Sequence, residues 1–258
     1  MSCRVKIGCC GFGGSQIQYF KKFKTVEAQI TFYEPPQIET LKKWRDKAPN
    51  DFDFTLKAWQ LITHSYTSPT YKRLRTKFPE TELKNAGSFK NSSIVWKAFD
   101  KTVECSLALM AKAIVFQCPA SFKPTKENID NICDFFARAA KMIPSELKDV
   151  RLVWEPRGDW QDNLIKEICD KFSLIHCVDI FARNPITKGE FYFRLHGGAN
   201  YNHVYEDVEL DWMLKQFENF HSGYCMFNNL NMINDAERLI RRIGENVNNN
   251  FINPLDNK

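Results

Sequence analysis

The chain has 258 residues, of which 43% are hydrophobic and 26% are charged, and its formal net charge is +5. This length is sufficient for one large α/β barrel or two small domains, and the composition excludes disordered and fibrous proteins. No apolar run approaches the roughly 20 residues that span a bilayer, and the first residues lack the apolar region of a signal peptide, so we expect a cytoplasmic protein without membrane association.

The first 57 residues predict three strands and two helices. A strand over 4–8 leads into a glycine-rich turn and a short helix that ends near Phe23, and a second strand covers 25–30. A helix follows over 37–47, and strict alternation of apolar and polar residues predicts a third strand over 52–57. The glycine-rich turn is not a clean G-x-G-x-x-G, so no nucleotide cofactor is predicted.

A long connection follows the third strand. Residues 64–110 are rich in Lys, Ser, Pro and Thr, and only residues 96–111 have a helical pattern. Connections of this length in compact domains are commonly functional, for example as a lid. We therefore predict a partly helical insertion between the third and fourth strands.

The remaining sequence predicts five more strands that mostly alternate with helices. The strands are expected at 113–119, 151–155, 174–179, 191–196 and 224–228, and the helices from Pro124, at 161–171, at 207–220 and from Asn234 or Asp235. Eight strands in this order favour a single α/β domain, a (β/α)₈ barrel of the TIM type over residues 1–245, with 64–110 as the insertion. Residues 246–258 are predicted to form a polar C-terminal tail.

Polar residues at the carboxyl ends of these strands indicate a binding pocket. Parallel strands covered on both faces are normally almost wholly apolar, and TIM-barrel active sites lie at the carboxyl ends of the strands. Buried ionisable groups must pair or bind a ligand, because leaving them alone costs several kcal/mol each. The residues concerned are Glu27, Lys57, Gln117, Glu155, Asp179, Arg194, His196 and Asn228.

The mixture of cations and carboxylates suggests acid–base chemistry on an anionic substrate. We predict His196, Glu155 and Asp179 as catalytic residues, with His196 as acid and one carboxylate as base. The predicted substrate-binding residues are Lys57, Arg157, Arg194, Gln117, Asn228, Glu27 and His64.

Structural roles stay open for several of these residues. Glu155 and Arg157 could form an ion pair that fixes a loop, and His64 could brace the connection after the third strand. Lys57 could be a nucleophilic amine if burial lowered its pKa, although an anion clamp is the commoner use of lysine. His176 is predicted to be packed in the core, while His203 and His221 are predicted to be exposed.

The nine cysteines predict free thiols. Their number is odd, they are scattered through apolar segments, and no Cys-x-x-Cys occurs, which disfavours both a disulfide framework and structural zinc. The sequence leaves open whether Cys9 or Cys10 is reactive.

Several motifs resemble the YecE-like family, also described as domain of unknown function 72. They are Thr25-Val-Glu27, Thr31-Phe-Tyr33, Lys57, Ile62-Thr-His64, Phe116-Gln-Cys-Pro119, Glu155-Pro-Arg157 with Trp160, Phe193-Arg-Leu-His-Gly197 and Phe227-Asn-Asn229. The resemblance extends from Ile7 to about Leu239 and implies a TIM-barrel fold. It does not imply a particular reaction.

Three functions are compatible with the sequence. The first is an enzyme of hydrolase or lyase type acting on a small phosphorylated or carboxylated substrate. The second is a metal-dependent phosphodiester hydrolase similar to endonuclease IV, with divalent ions on Glu27, Glu155, Asp179, His196 and His64. The third is a non-catalytic protein that binds a ligand in the same pocket.

The charge distribution bears on the choice among these functions. Residues 72–101 contain eight Lys and Arg against three Asp and Glu, an excess that equals the net charge of the whole chain. Such a basic segment could bind a nucleic acid backbone or could simply be a solvated connection. The sequence does not determine the metal content or the oligomeric state.

Overall fold

The structure is a computed structural model that describes residues 3–250, with side chains described for 3–245. Eight parallel strands form a closed barrel in sequence order, and β1 pairs with β8. This arrangement confirms the predicted (β/α)₈ barrel. The strands β1 to β8 are Arg4–Cys9, Thr25–Ala28, Asp53–Lys57, Ala113–Gln117, Arg151–Glu155, Ile175–Val178, Gly189–Leu195 and Phe220–Phe227.

Helices cover the outside of the barrel. The helices α1 to α10 are Gln16–Lys22, Ile30–Tyr33, Ile38–Lys47, Gln60–Thr63, Glu80–Leu83, Ser93–Leu109, Lys126–Met142, Asp162–Phe172, Asp207–Phe217 and Met232–Asn250, with 3₁₀ turns at Pro69–Arg73 and Ser145–Leu147. Within residues 3–250, none of these helices has the length and apolar character needed to cross a membrane.

Side-chain alternation along each strand divides the core into two parts. On β7, Phe191 and Phe193 face outward, and the Phe191 ring stacks on Phe217 of α9 at 5.3 Å between ring centroids. Tyr192 and Arg194 face inward and are fully buried. The inside of the barrel therefore combines a small apolar cluster near Tyr192 with charged residues at the carboxyl end.

Helix α7 shows how the sequence sets the outer layer. The Thr125 hydroxyl accepts a hydrogen bond from the Asn128 backbone N–H at 3.2 Å, which caps the first turn. The buried residues of α7 include Ile132, Phe135 and Phe136, which lie on one face at helical spacing. The helix begins two residues after the predicted start at Pro124, because Thr125 acts as its N-cap.

Several element boundaries differ from the sequence prediction, among them those of β2, β8 and α10. Strand β2 ends at Ala28 and α2 begins at Ile30, so Gln29 lies outside the sheet. Strand β8 begins at Phe220, four residues early, because Phe220 pairs with Gly189 of β7 and residues 222 and 223 pair with β1. Helix α10 continues to Asn250, beyond the predicted domain end at 245, and residues 251–258 of the predicted tail lie outside the described residues.

The segment between β3 and β4 is attached to the barrel by backbone hydrogen bonds. The N–H of Gly87 donates to Leu61 O at 2.7 Å, and the N–H of Phe89 donates to Ile62 O at 2.9 Å. Gly87 has a φ of +80°, and a Cβ at this position would lie 2.2 Å from His64 O. Only glycine permits this close approach, which fixes the segment beside His64 and the barrel mouth.

Candidate active site at the mouth of the barrel

The carboxyl ends of the strands bring most of the predicted site residues to one mouth. Lys57, Gln117 and Glu155 end β3, β4 and β5, while Glu27 and Arg194 lie one residue before the ends of β2 and β7. All five side chains are buried, the most exposed being Gln117 at 8%. His196, Asp179, Asn228, Arg157 and His64 follow in the adjoining loops and line the same region.

Arg194 bridges two carboxylates inside the barrel. Its Nε and Nη2 contact the two carboxylate oxygens of Glu27 at 3.1 and 3.0 Å, and its Nη1 donates to Glu155 Oε2 at 2.5 Å. Nη1 also donates to Gln117 Oε1 at 3.2 Å. The guanidinium is thus occupied by protein groups, so Arg194 positions the site and is not the free anion clamp that the sequence suggested.

Glu27 has a full set of partners and is completely buried. Besides Arg194, its Oε2 accepts a hydrogen bond from the Tyr192 hydroxyl at 2.8 Å, and its Oε1 accepts one from Gln29 Nε2. The Tyr192 hydroxyl also lies 2.7 Å from Thr55 Oγ1. These contacts make Glu27 a structural anchor between β2, β3 and β7.

Glu155 is held ionised by two arginines. Its Oε1 accepts from Arg157 Nε at 2.9 Å, while its Oε2 contacts Arg194. Burial raises the pKa of Glu155, but the charges of Arg194 and Arg157 outweigh this effect and lower the pKa to about 2. Such a carboxylate is a weak base at neutral pH, so its contacts favour the predicted structural ion pair over the predicted catalytic role.

His196 lies between Arg157 and Asp179. Its Nε2 is 2.6 Å from Arg157 Nη2, and because a guanidinium nitrogen only donates, Nε2 accepts this bond. The ring proton therefore lies on Nδ1, which is 3.5 Å from Asp179 Oδ2. Asp179 is fixed in turn by the backbone N–H groups of His196 at 2.8 Å and Phe181 at 3.1 Å. This arrangement places the Asp179 carboxylate beside the imidazole, in charge contact with Nδ1.

The Lys57 amine lies above the face of Phe32. Its Nζ is 3.5 Å from the ring centroid, and it makes no hydrogen bond within the described part of the chain. Burial is the main cause that lowers the pKa of Lys57 to about 7, and the nearby Arg194 charge adds to it. A substantial fraction of this amine is therefore neutral near pH 7.

His64 lies beside Lys57 at the start of the connection. Its Nδ1 is 2.8 Å from Thr63 Oγ1, and its ring meets Phe32 edge to face at 4.9 Å between centroids. Burial first and the Lys57 charge second lower the pKa of His64 to about 3. His64 is consequently neutral over the physiological range.

Two adjoining cavities open at the mouth. The Lys57 cavity has a volume of about 420 Å³ and is lined by Lys57, Phe32, His64, Gln117, Arg157, Arg194, Tyr201 and Asn228 among others. The His196 cavity has a volume of about 450 Å³ and is lined by His196, Glu155, Arg157, Asp179, Arg183 and Tyr201 among others. Arg157 and Tyr201 belong to both, so one elongated ligand could occupy the two cavities together.

Sequence reasoning did not assign roles to Phe32 and Tyr201. Phe32 supports Lys57 from α2, a helix that was not predicted. Tyr201 adopts a left-handed φ of +59° in the loop after Gly197-Gly198, and its ring lies 5.9 Å from the His196 ring between centroids. A left-handed non-glycine residue beside a catalytic candidate is a typical feature of functional loops, and the glycine pair was its only sequence signal.

The other histidines and the Cys9-Cys10 pair are placed where they suit structural roles and not a reaction at the mouth. His176 is buried, and its Nδ1 accepts a hydrogen bond from the Ile186 N–H at 3.1 Å. His203 and His221 are exposed, and His203 pairs with Glu209. Burial raises the pKa of the Cys9 thiol to about 12 and that of Cys10 well above its ordinary value, so neither forms a reactive thiolate at neutral pH.

The residues proposed as metal ligands do not fit a metal centre. Among residues 3–245, no group of three or more His, Cys, Asp or Glu side chains converges on a common point. Arg194 lies between Glu27 and Glu155 and would repel a cation there. The geometry thus gives no support to the metal-dependent hydrolase.

The basic segment 72–101 is partly neutralised by neighbouring acids. Lys84 pairs with Glu80 at 3.0 Å, Lys97 with Glu82 at 3.2 Å and Lys101 with Glu104 at 2.8 Å. Arg73 differs, because its guanidinium carbon lies 3.5 Å from the ring centroid of Tyr33, which lines the Lys57 cavity. One cation of this segment thus adjoins the mouth.

Comparison with solved structures shows the same fold in proteins of very different sequence. A DUF72 family protein from Enterococcus faecalis V583 has a TM-score of 0.67 and 17% identity over 94% of this chain and 98% of that one. One from Thermotoga maritima MSB8 has a TM-score of 0.64 and 18% identity over 93% and 99%. A family 2 AP endonuclease from Brucella melitensis has a TM-score of 0.54 and 10% identity over 94% and 98%.

At these identities the likeness shows the fold alone. A comparison with curated protein sequences finds no match. The family model described as "Protein of unknown function DUF72" matches residues 17–257. This match covers nearly the whole barrel, including every strand from β2 to β8 and the loops that carry the candidate site. The chain therefore belongs to the DUF72 family.

Proposed function

We propose that the protein is an enzyme that binds a small phosphorylated or carboxylated substrate at the barrel mouth and transfers a proton through His196. The observation that carries this proposal is the contact between Arg157 and His196 Nε2. Arg157 retains 32% side-chain exposure and lines both cavities, whereas Arg194 is buried and fully paired. Arg157 is therefore the arginine placed to meet an incoming anion.

Substrate binding would release the base. When the anion attracts the Nη groups of Arg157, the bond to His196 Nε2 is lost and its lone pair faces the substrate. The Asp179 carboxylate, 3.5 Å from Nδ1, stabilises by its charge the imidazolium that forms after proton transfer. Glu155 keeps the Arg157 Nε in place throughout. In this mechanism His196 acts first as a base and later returns the proton as an acid. It thus takes over the role of base that was predicted for a carboxylate, and Glu155 holds Arg157.

The experiment is a screen of phosphorylated and carboxylated metabolites by thermal shift, followed by an assay of each ligand for turnover. Wild-type protein is expected to be stabilised by at least one of them. Arg157→Met should reduce the affinity at least tenfold, and His196→Gln, which keeps an acceptor for Arg157, should retain binding and lose at least a hundredfold in turnover.

Arg151→Met provides the matched control, because this arginine pairs with Glu190 outside the mouth. It should change neither quantity. Undiminished turnover in His196→Gln would contradict the proposal, and so would unchanged affinity in Arg157→Met. Ligand binding without conversion of any binding compound would instead favour a non-catalytic protein.

A nucleic acid ligand is a second candidate, favoured by the position of Arg73 beside the mouth. If a phosphate backbone extends from the mouth across segment 72–101, affinity should fall steeply with salt concentration. Arg73→Gln should reduce that salt dependence. Affinity for single-stranded oligonucleotides that does not change with salt would exclude this candidate.

A further inference from the structure

We propose that Lys57 is a nucleophile that forms a Schiff base with the substrate, and that the substrate is a small aldehyde or ketone carrying a phosphate or carboxylate group. This inference rests on the proposed function, because Arg157 supplies the anion site. It adds the chemical class of the group that reacts.

The position of the amine carries the proposal. Lys57 ends β3, is 5% exposed, and directs Nζ onto the Phe32 ring at the wall of the Lys57 cavity. A lysine that serves a structural role is normally bonded to a carboxylate, as the partly exposed Lys6 is to Asp53 at 2.7 Å. Glu27 and Glu155 are the nearby carboxylates, and both are already engaged by arginine. The amine is thus left facing the cavity.

The surroundings favour the neutral, nucleophilic form of this amine. Removal from water penalises the ammonium, and the guanidinium of Arg194 repels it. A pKa of about 7 leaves roughly three quarters of the amine unprotonated at pH 7.5, compared with about one thousandth of an ordinary lysine. Desolvation beside another cation is a known way of activating lysine.

The reaction balances with the amine, the carbonyl compound and water. The Nζ lone pair attacks the carbonyl carbon, and the C=O π electrons move to oxygen to give a carbinolamine. One proton then leaves nitrogen, the hydroxyl group accepts a proton and departs as water, and the C=N bond forms. Nothing is oxidised or reduced. Water can carry the proton from nitrogen to the hydroxyl oxygen, while His64, whose pKa is about 3, lines the cavity as a neutral group.

Amide groups complete the site. Gln117 and Asn228 line the Lys57 cavity and can donate to the carbonyl oxygen as negative charge develops on it. Arg157, at the boundary with the His196 cavity, would hold the anionic end of the substrate. His196 would then face the carbon next to the imine, where an iminium group acidifies the C–H bond and permits proton abstraction.

The first experiment uses pyridoxal 5′-phosphate, which combines an aldehyde with a phosphate group. The protein is incubated with this probe, reduced with sodium borohydride, digested and analysed by mass spectrometry. We expect Lys57 to be modified at least tenfold faster than any other lysine. Lys57→Met should abolish the fast phase, and Arg157→Met should slow it at least fivefold. Label distributed over exposed lysines with Lys57 unmodified would contradict the inference.

A second probe separates the inference from the proposed function. Formaldehyde carries no charge, and reductive methylation with ¹³C-formaldehyde reports on each lysine by NMR. Fast methylation of Lys57 in both wild type and Arg157→Met is expected. If Lys57 reacts with formaldehyde but shows no preference for the phosphorylated probe, the nucleophile stands and the anion site is refuted. If Lys57 reacts with neither probe ahead of surface lysines, the Schiff-base inference is wrong.

Discussion

The burial of the Lys57 ammonium gives a pH-dependent contribution to stability. Its pKa is about 7 in the folded protein and 10.5 ordinarily, so between these values the unfolded state binds a proton that the folded state does not. Stability therefore rises with pH in this interval. The full free-energy cost of burying the Lys57 ammonium is present below pH 7.

Lys57→Met tests this contribution, because methionine fills a similar volume without charge. The variant should be more stable than wild type at pH 6, and its advantage should fall by up to about 1.4 kcal/mol per pH unit above pH 7. Urea unfolding at pH 6, 7, 8 and 9 measures the difference. A difference that stays constant with pH would show that Lys57 titrates normally.

Arg194→Met should cost about 3 to 5 kcal/mol, because it leaves Glu27 and Glu155 buried without their shared cation. Arg151→Met, which breaks an exposed ion pair with Glu190, should cost no more than about 1 kcal/mol. Adding Glu27→Gln to Arg194→Met should recover part of the loss. Equal effects of the two arginine substitutions in denaturant unfolding would contradict a structural role for Arg194.

At the level of single residues, the sequence indicated which side chains face the pocket but not which of them pair. Alternation along β3 and β7 was enough to place Lys57 and Arg194 on the inner face. Arg194 and Glu27, however, are 167 residues apart in sequence, and no local pattern shows that they touch. The roles of Arg194 and Glu155 therefore differ from the predicted ones. An arginine that is already paired is not free to bind a substrate anion, and a carboxylate that is already paired is not free to accept a proton.

Among the elements, the connection after β3 depends most on a single backbone position. Gly87→Ala would add a Cβ 2.2 Å from His64 O and would strain a φ of +80°. Gly198→Ala has a similar φ of +76° but meets no atom within 4 Å, so it isolates the conformational cost of about 1 kcal/mol.

Gly87→Ala should therefore destabilise the protein by at least about 2 kcal/mol more than Gly198→Ala does. It should also increase amide exchange at the N–H groups of residues 87 and 89, which hold the connection to α4. Thermal unfolding and hydrogen exchange provide the two measurements. Equal effects of the two substitutions would mean that the backbone of the connection shifts enough to accommodate the added methyl group.

Element types were more predictable than element ends. Alternation identified β3, and helical spacing identified α7, because each buries one face against a continuous core. Helix α2 has only four residues, too few for a periodic pattern, and the early start of β8 depends on pairing with β7 and β1. Both features result from tertiary contacts, so the local sequence did not show them.

For the molecule as a whole, the buried histidines predict sensitivity to acid. Burial lowers the pKa of His64 to about 3 and that of His176 to about 4, whereas both would ordinarily titrate near 6.5. Below pH 6.5 these histidines bind protons in the unfolded state but not in the folded state, so the free energy of unfolding falls as the pH falls towards 4.

The expected slope is up to about 2.7 kcal/mol per pH unit for the two groups together. His64→Gln and His176→Gln should each reduce it by about half, and the double variant should nearly remove it between pH 6 and pH 4.5. Denaturant unfolding across this range, with proton uptake measured in parallel, checks the effect. A slope that neither substitution alters would assign the acid sensitivity to other groups.

The pairing of β1 with β8 has a consequence for how the protein is made. While the ribosome synthesises the chain, the edge of β1 has no neighbour on one side until residues 222–227 have emerged. For most of synthesis the nascent chain therefore exposes an open edge that can pair with other chains. Arg194 is likewise synthesised long after Glu27, so the Glu27 carboxylate has no arginine partner until β7 has been made. We therefore expect the newly made protein to need protection by chaperones until its last strand is in place.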